Sequence, residues 1–173
     1  MLAVLVSGIP GSGKTTVSRT VAGRLPKAAH IEGDVLSFDF VVSGLPAPED
    51  ADDWAALMEL RRRQICLLAD SYAEAGFVPV IDDVVTNPVV LNLYRRYLAL
   101  RPIAFVVLTP RLEVVRSRDA GRDKHVFERW AHLDAELRAT LGGCGVSIDS
   151  SDLTPDETAA EVLGRLDEAI LPF

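Results

Sequence analysis

Two cysteines, Cys66 and Cys144, are the only thiols in 173 residues, and they lie far apart in the chain. They form no disulfide framework and no paired-cysteine zinc spacing, so two reduced thiols in the cytosol are expected. Positive charge is scarce as well: 18 Lys and Arg against 25 Asp and Glu leave a formal charge of -7 at pH 7. Proteins that bind duplex nucleic acid draw most of their affinity from neutralising phosphates, so this balance argues against that class. Any phosphate bound here must meet a local cluster of donors. Long apolar runs are missing too. The opening Met1–Val6 stretch is apolar but short, lacks a basic flank and runs straight into glycines. It is expected to be a buried strand, not a signal peptide or membrane span, which makes the chain a cytoplasmic protein without a membrane partner. Repeats and low-complexity tracts are absent, and the most loop-like segment, Gly44–Pro48, is too short to divide domains.

What is present is an ordinary globular composition, 49% apolar and 25% charged. The length suits one domain over residues 1–173, able to bury a core without metal clips or obligatory assembly, and monomer and homodimer both stay open. Short apolar runs at Leu2–Val6, Ala28–Ile31, Val78–Ile81, Ile103–Leu108 and Val146–Ile148 suit strands covered on both faces. Helical spacing falls between them, as in Trp54, Leu57, Met58, Ile65 and Leu68, with Arg61, Arg62 and Arg63 on other faces. The alternation predicts a three-layer α/β fold with a parallel sheet. A capping box at Thr154-Pro155-Asp156-Glu157 starts the last helix, which is expected to run to about Ala169.

Directly after the first strand, Gly8-Ile9-Pro10-Gly11-Ser12-Gly13-Lys14-Thr15 fills every fixed position of the G-x-x-x-x-G-K-[ST] phosphate loop. Its glycines let backbone N–H groups turn toward phosphates, and the following helix adds the positive end of its dipole. Lys14 is expected to reach the β- and γ-phosphates of ATP and Thr15 to offer its hydroxyl to Mg²⁺, while Thr16 is placed to contact the α-phosphate.

Ligands of open parallel sheets bind beyond the carboxyl ends of the strands, and two such ends carry acids. In His30-Ile31-Glu32-Gly33-Asp34, Asp34 is expected to face the γ-phosphate and accept the proton of an acceptor hydroxyl, or to hold the metal through water. In Val80-Ile81-Asp82-Asp83-Val84, successive residues point to opposite faces, so only one acid faces the metal readily. Asp82 is favoured for the Mg²⁺ side and Asp83 for the side nearer the substrate.

A basic run from Arg111 to Lys124 follows the fourth strand, within a lid spanning about 111–128. Arg118 and Arg122 share a helical face, and Ala120-Gly121 offers a hinge between them. Arginines so placed can close over a transferring phosphoryl group. His125 is a secondary candidate, and His30 and His132 are expected only to pack. Trp54 and Trp130 either line an acceptor pocket or cover the core.

With these residues in place the chain resembles the small P-loop kinases that phosphorylate hydroxyls of metabolites or antibiotics, such as gluconate kinase, shikimate kinase and the chloramphenicol phosphotransferase family. The last is most similar, through Asp34, the Ile81-Asp82-Asp83-Val84 string and an arginine-bearing lid before Val146-Ser147-Ile148-Asp149. The resemblance implies a five-stranded parallel sheet in P-loop kinase order with helices on both faces and a helical lid. It also implies Asp34 as general base, Lys14 and Thr15 as phosphate and Mg²⁺ residues, and Arg118 with Arg122 as lid arginines. The nucleotide base would lie between the lid helix and Asp149–Asp152.

The leading expectation is therefore an ATP- and Mg²⁺-dependent phosphotransferase acting on a hydroxyl of a small molecule. A nucleoside or nucleotide kinase, using Arg61, Arg62 and Arg63 in its acceptor pocket, is the second. A nucleotide-binding switch that transfers nothing is the third.

Overall fold

The computed structural model describes residues 1–120 and 127–172. All five apolar runs are strands: β1 (Ala3–Ser7), β2 (Ala28–Glu32), β3 (Val78–Asp82), β4 (Ile103–Leu108) and β5 (Val146–Ile148). They pair in the order β2-β3-β1-β4-β5, and every neighbouring pair is parallel. Among the described residues the helices are α1 (Lys14–Arg24), α2 (Gly33–Phe38), α3 (Ala51–Glu74) and α4 (Pro88–Tyr97), followed by α5 (Leu112–Ala120), α6 (Phe127–Trp130), α7 (His132–Thr140) and α8 (Pro155–Gly164).

Alternation along the strands divides the core into two layers. Leu5, Ile81 and Phe105 pack with Ile65 of α3 and Tyr94 of α4 on one face of the sheet. Val4, Val6, Val80 and Val106 pack with Val17 and Val21 of α1 and Ala159 and Val162 of α8 on the other. Each Val, Leu, Ile or Phe side chain among them, taken fully out of water, contributes about 1.5–3 kcal/mol. At the carboxyl ends the sheet is pinned reciprocally: the Ser7 hydroxyl donates to the Val85 carbonyl and accepts from the Val85 N–H, both at 2.9 Å. That pin carries the chain past β3 with its acids held at the mouth of the β1 turn.

Two expectations need correction. The last helix starts at the Thr154 capping box, but it stops at Gly164 instead of about Ala169. β5 pairs only with Val106–Leu108, leaving the lower edge of β4 without a strand. The tail answers that demand for partners: Phe105 N–H donates to Ala169 O, Leu171 N–H donates to Ile103 O, and Ile170 bridges Ala104 antiparallel. The second correction concerns α3, whose Arg61 and Arg62 are buried, 4% and 8% exposed, and share the buried face with Ile65 and Cys66 instead of lying on another. The buried Asp83, one residue past β3, draws them inward. Among the described residues no helix is long and apolar enough to cross a membrane.

Cys66 lies wholly within the α3 layer, and burial pushes its thiol up to about 12. Since the thiolate is the reactive form, Cys66 stays almost wholly as the unreactive thiol at pH 8. Native protein treated with iodoacetamide should gain label at the half-buried Cys144 while Cys66 stays unmodified until denaturant is added. Peptide mass mapping checks this, and equal labelling of both in the native state would contradict the packing.

Candidate active site

The phosphate loop joins β1 to α1. At Gly8 a Cβ would lie 2.9 Å from the Leu108 carbonyl oxygen and 2.5 Å from Ser12 Oγ, so any larger residue would collide with backbone. Gly13 caps α1 at φ 95°, in the left-handed region that favours glycine. No side chain caps α1 and no acid lies in its first turn, so its positive end is left for an anion. Ser12 Oγ is buried without a hydrogen-bond partner. Lys14 is 8% exposed and forms no ion pair among the described residues. A buried cation and an orphaned hydroxyl beside an uncapped helix start fit a phosphate group, which would satisfy all three. Gly11 turns within this loop, Pro10 is half-buried at its shoulder, and Thr16 is exposed in the first turn of α1.

The acids of β3 separate as the period of two requires. Asp82 turns to the α1 side, where Thr15 Oγ1 donates to its Oδ1 at 3.1 Å. Asp83 turns to the α3 side and is saturated there. Arg61 binds its Oδ1, Arg62 Nε donates to Oδ2 at 3.1 Å, and Tyr94 OH donates to Oδ2 at 2.7 Å. Burial, with the Asp83 charge beside it, pushes the Tyr94 hydroxyl well above its ordinary value, so it stays a donor. The structure thus sets Asp83 behind Arg61 and not at the open cleft. Arg61 carries the connection outward: its Nη1 donates to Asp34 Oδ1 at 3.0 Å. Asp34, in α2, leaves its side chain 57% exposed, while that of Asp83 is wholly buried.

His30, expected merely to pack, is in contact with this centre: its Nε2 lies 2.5 Å from Asp82 Oδ2. One carboxylate oxygen of Asp82 therefore faces His30 and the other faces Thr15. Glu32 pairs across the strands with Asp82, and burial together with the Asp82 charge holds its carboxyl above the usual range. Thr15 and Asp82 offer hard oxygen donors of the kind Mg²⁺ takes. Among the described residues no group of three or more His, Cys, Asp or Glu is arranged to hold a metal. An ion here would complete its shell with water and nucleotide oxygens, as Mg²⁺ does.

Arg118, in α5, spans the other side of the loop. Its Nη1 donates to Ser12 O at 3.2 Å and its Nη2 to Ser150 O at 2.8 Å. The loop after β5 is held by Arg111, which makes a bidentate pair with Asp152 at 2.7 and 2.9 Å and donates its N–H to Ser151 Oγ. The Arg111 guanidinium holds the Asp152 carboxyl below the usual range. Arg122 and His125, with the hinge at Gly121, lie outside the described residues. Trp54 does not turn into the cleft: its Nε1 donates to Ala47 O and pins the proline-rich loop. Trp130 is half-buried beside His132.

The sequence pointed to the loop, Asp34 and the Asp82-Asp83 step, and to Arg61 and Arg62 only as acceptor-pocket residues of a nucleotide kinase; it did not point to Tyr94 or His30. The one available signal was three arginines in an otherwise apolar helical repeat.

Known proteins share this fold. A sugar kinase from Janibacter sp. HTCC2649 superposes with a TM-score of 0.67 at 24% identity, covering 98% of this chain and 96% of its own. Shikimate kinase from Bacteroides thetaiotaomicron superposes with a TM-score of 0.70 at 15% identity, covering 96% and 98%. A UPF0200 protein of Aeropyrum pernix is 38% identical over 84 residues, 47% of this chain, and the match spans less than half, 45%, of that relative. A family model described as an AAA domain matches residues 4–141, which include the phosphate loop, Asp34, both β3 acids and Arg118, and the chain belongs to that family.

Proposed function

We propose that the protein is an ATP-dependent phosphotransferase that moves the γ-phosphoryl group to a hydroxyl of a small molecule, a metabolite or an antibiotic. One observation carries the reading: an exposed carboxylate, Asp34, is held at the cleft by a buried arginine, beside a phosphate loop whose Thr15 is already joined to the buried Asp82. An exposed carboxylate fixed by a buried arginine supports a role in proton transfer from an acceptor.

In this reading the N–H groups of the Gly8–Gly13 loop and Lys14 bind the phosphates, and Thr15 and Asp82 hold the metal. Mg²⁺, when bound, neutralises the charge that builds on the β- and γ-phosphate oxygens. Arg61 fixes Asp34 through Oδ1, leaving Oδ2 to orient the acceptor hydroxyl and take its proton as the new O–P bond forms and the bond from the γ-phosphorus to the bridging oxygen breaks, that oxygen leaving on ADP. Arg118, beside Ser12, adds positive charge at the loop, and Arg122 is assigned the same task from the lid.

The test is Mg²⁺-dependent ADP release across a panel of hydroxylated metabolites, antibiotics, nucleosides and nucleotides, with mass detection of a product heavier by one phosphoryl group. Phosphorylation of a nucleotide alone would select the second reading, although Arg61 and Arg62 are both already engaged by carboxylates. Tight ATP binding without any phosphorylated product would select the switch. Lys14→Ala should lower ATP affinity about tenfold or more, since a hydrogen bond to a charged group contributes about 1.5–3 kcal/mol. Calorimetric titration measures it, and unchanged affinity would remove Lys14 from the phosphate site.

A further inference from the structure

Beside Asp34, between α2 and α3, lies a cavity of about 180 Å³. Leu36, Phe40 and Val41 wall it from the α2 side, and Leu57 and Leu60 from α3. Its polar lining is Ser37, Arg61 and Gln64. Two of those polar groups are buried with no hydrogen-bond partner, Ser37 Oγ and Arg61 Nε. The apolar lining continues outward at the mouth, where Phe40 is 67% and Leu60 44% exposed. Contiguous exposed apolar surface around a partly polar hollow marks a ligand groove more often than it marks ordinary surface. An apolar cavity of about 150 Å³ takes a benzene ring, so this one fits a single ring or a branched alkyl group of that size.

Arg61, the one charged residue in its lining, belongs to a cluster whose charge is already balanced. Arg61 and Arg62 face Asp34 and Asp83, two cations against two carboxylates. An anionic ligand would have to take Arg61 from Asp34, or lie against the Asp34 carboxylate without compensation. A neutral ligand disturbs neither pair. We infer that this cavity receives the unreactive body of the phosphoryl acceptor, and that the acceptor is an uncharged, largely apolar alcohol carrying one ring or branched alkyl group, not a sugar acid or a phosphorylated sugar. The assignment rests on the phosphotransferase reading, because Arg61 joins the cavity wall to Asp34.

The test compares two probes that share a phenyl ring and a secondary hydroxyl, neutral 1-phenylethane-1,2-diol and anionic mandelate, titrated into the full chain and followed by amide NMR. The diol should bind at least tenfold more tightly than mandelate and shift the amides of Leu36, Ser37 and Leu57. Leu57→Trp, which fills the cavity, should weaken the diol at least tenfold. Leu60→Lys, at a half-exposed position that tolerates charge, should turn the preference toward mandelate. Thermal stabilisation of each variant by ATP and Mg²⁺ reports its folding and its phosphate loop separately. No binding of the diol, mandelate binding as tightly as the diol, or diol affinity unchanged in a folded Leu57→Trp each overturns the assignment. In all three cases the nucleotide response would persist; failure of the phosphotransferase reading shows instead as wild-type protein that yields no phosphorylated product across the acceptor panel, whether or not ATP and Mg²⁺ stabilise it.

Discussion

Replacing Asp83 with alanine is expected to destabilise the protein by about 3–5 kcal/mol, the cost of removing one partner from a buried ion pair. The carboxylate is wholly buried and holds three donors, Arg61, Arg62 and Tyr94. Without it two guanidiniums remain in the α3 layer with only Asp34, exposed and on one side, to face them. A domain of ordinary stability has about 5–15 kcal/mol in total, so the urea midpoint should fall by a large fraction of its value. Asp83→Asn keeps the shape and an acceptor for Tyr94, and should fall between alanine and wild type. A loss below about 1 kcal/mol for alanine, typical of a simple surface change, would mean that water replaces the carboxylate and that the network is not closed.

Asp34→Asn carries the largest expected effect on turnover. The amide oxygen can still accept from Arg61, so the fold and the cleft should persist, with ATP binding nearly unchanged. What is lost is the atom that takes the acceptor proton, and general-base removal lowers kcat by about 10²–10⁴-fold. Steady-state kinetics with an acceptor found in the panel, together with a denaturation curve of the variant, separates chemistry from folding. If kcat survives intact, Asp34 is only a binding group and some other acceptor of the proton must be sought.

How far the residues alone could lead is clearest at these two acids. Alternation along a strand sends Asp82 and Asp83 to opposite faces, and that is readable in any apolar run ending in two carboxylates. The phosphate loop is readable for a similar reason: its backbone path admits few residue types, so chemistry and spacing are tied together. The strands were plain because burial on both faces demands continuous apolar runs. Arg61 and Arg62 were not, because helical periodicity sorts side chains by polarity and treats arginine as solvated. Their partner lies more than twenty residues on, in another element, and only the assembled layers show that the pair closes there. His30 escaped for the same reason, its partner being across the sheet at Asp82. The overestimate of α8 has a comparable origin, since nothing local in Arg165–Ala169 reveals an incomplete strand edge elsewhere.

That edge has a consequence for solubility. A row of free N–H and C=O groups at the side of a sheet is a template on which another chain can add a strand, and proteins guard against it by covering such rows. Because β5 is only three residues long, Ile103–Phe105 would present such a row, flanked by some of the most apolar sequence in the chain. Ala169–Leu171 occupy it in antiparallel fashion, so the tail works as a stopper against intermolecular strand addition as much as a piece of the core. Trimming the chain back to Gly164 would leave the phosphate loop and its acids in place while opening this edge of β4 to strand addition by another chain, and light scattering should then show more aggregation than in the full chain.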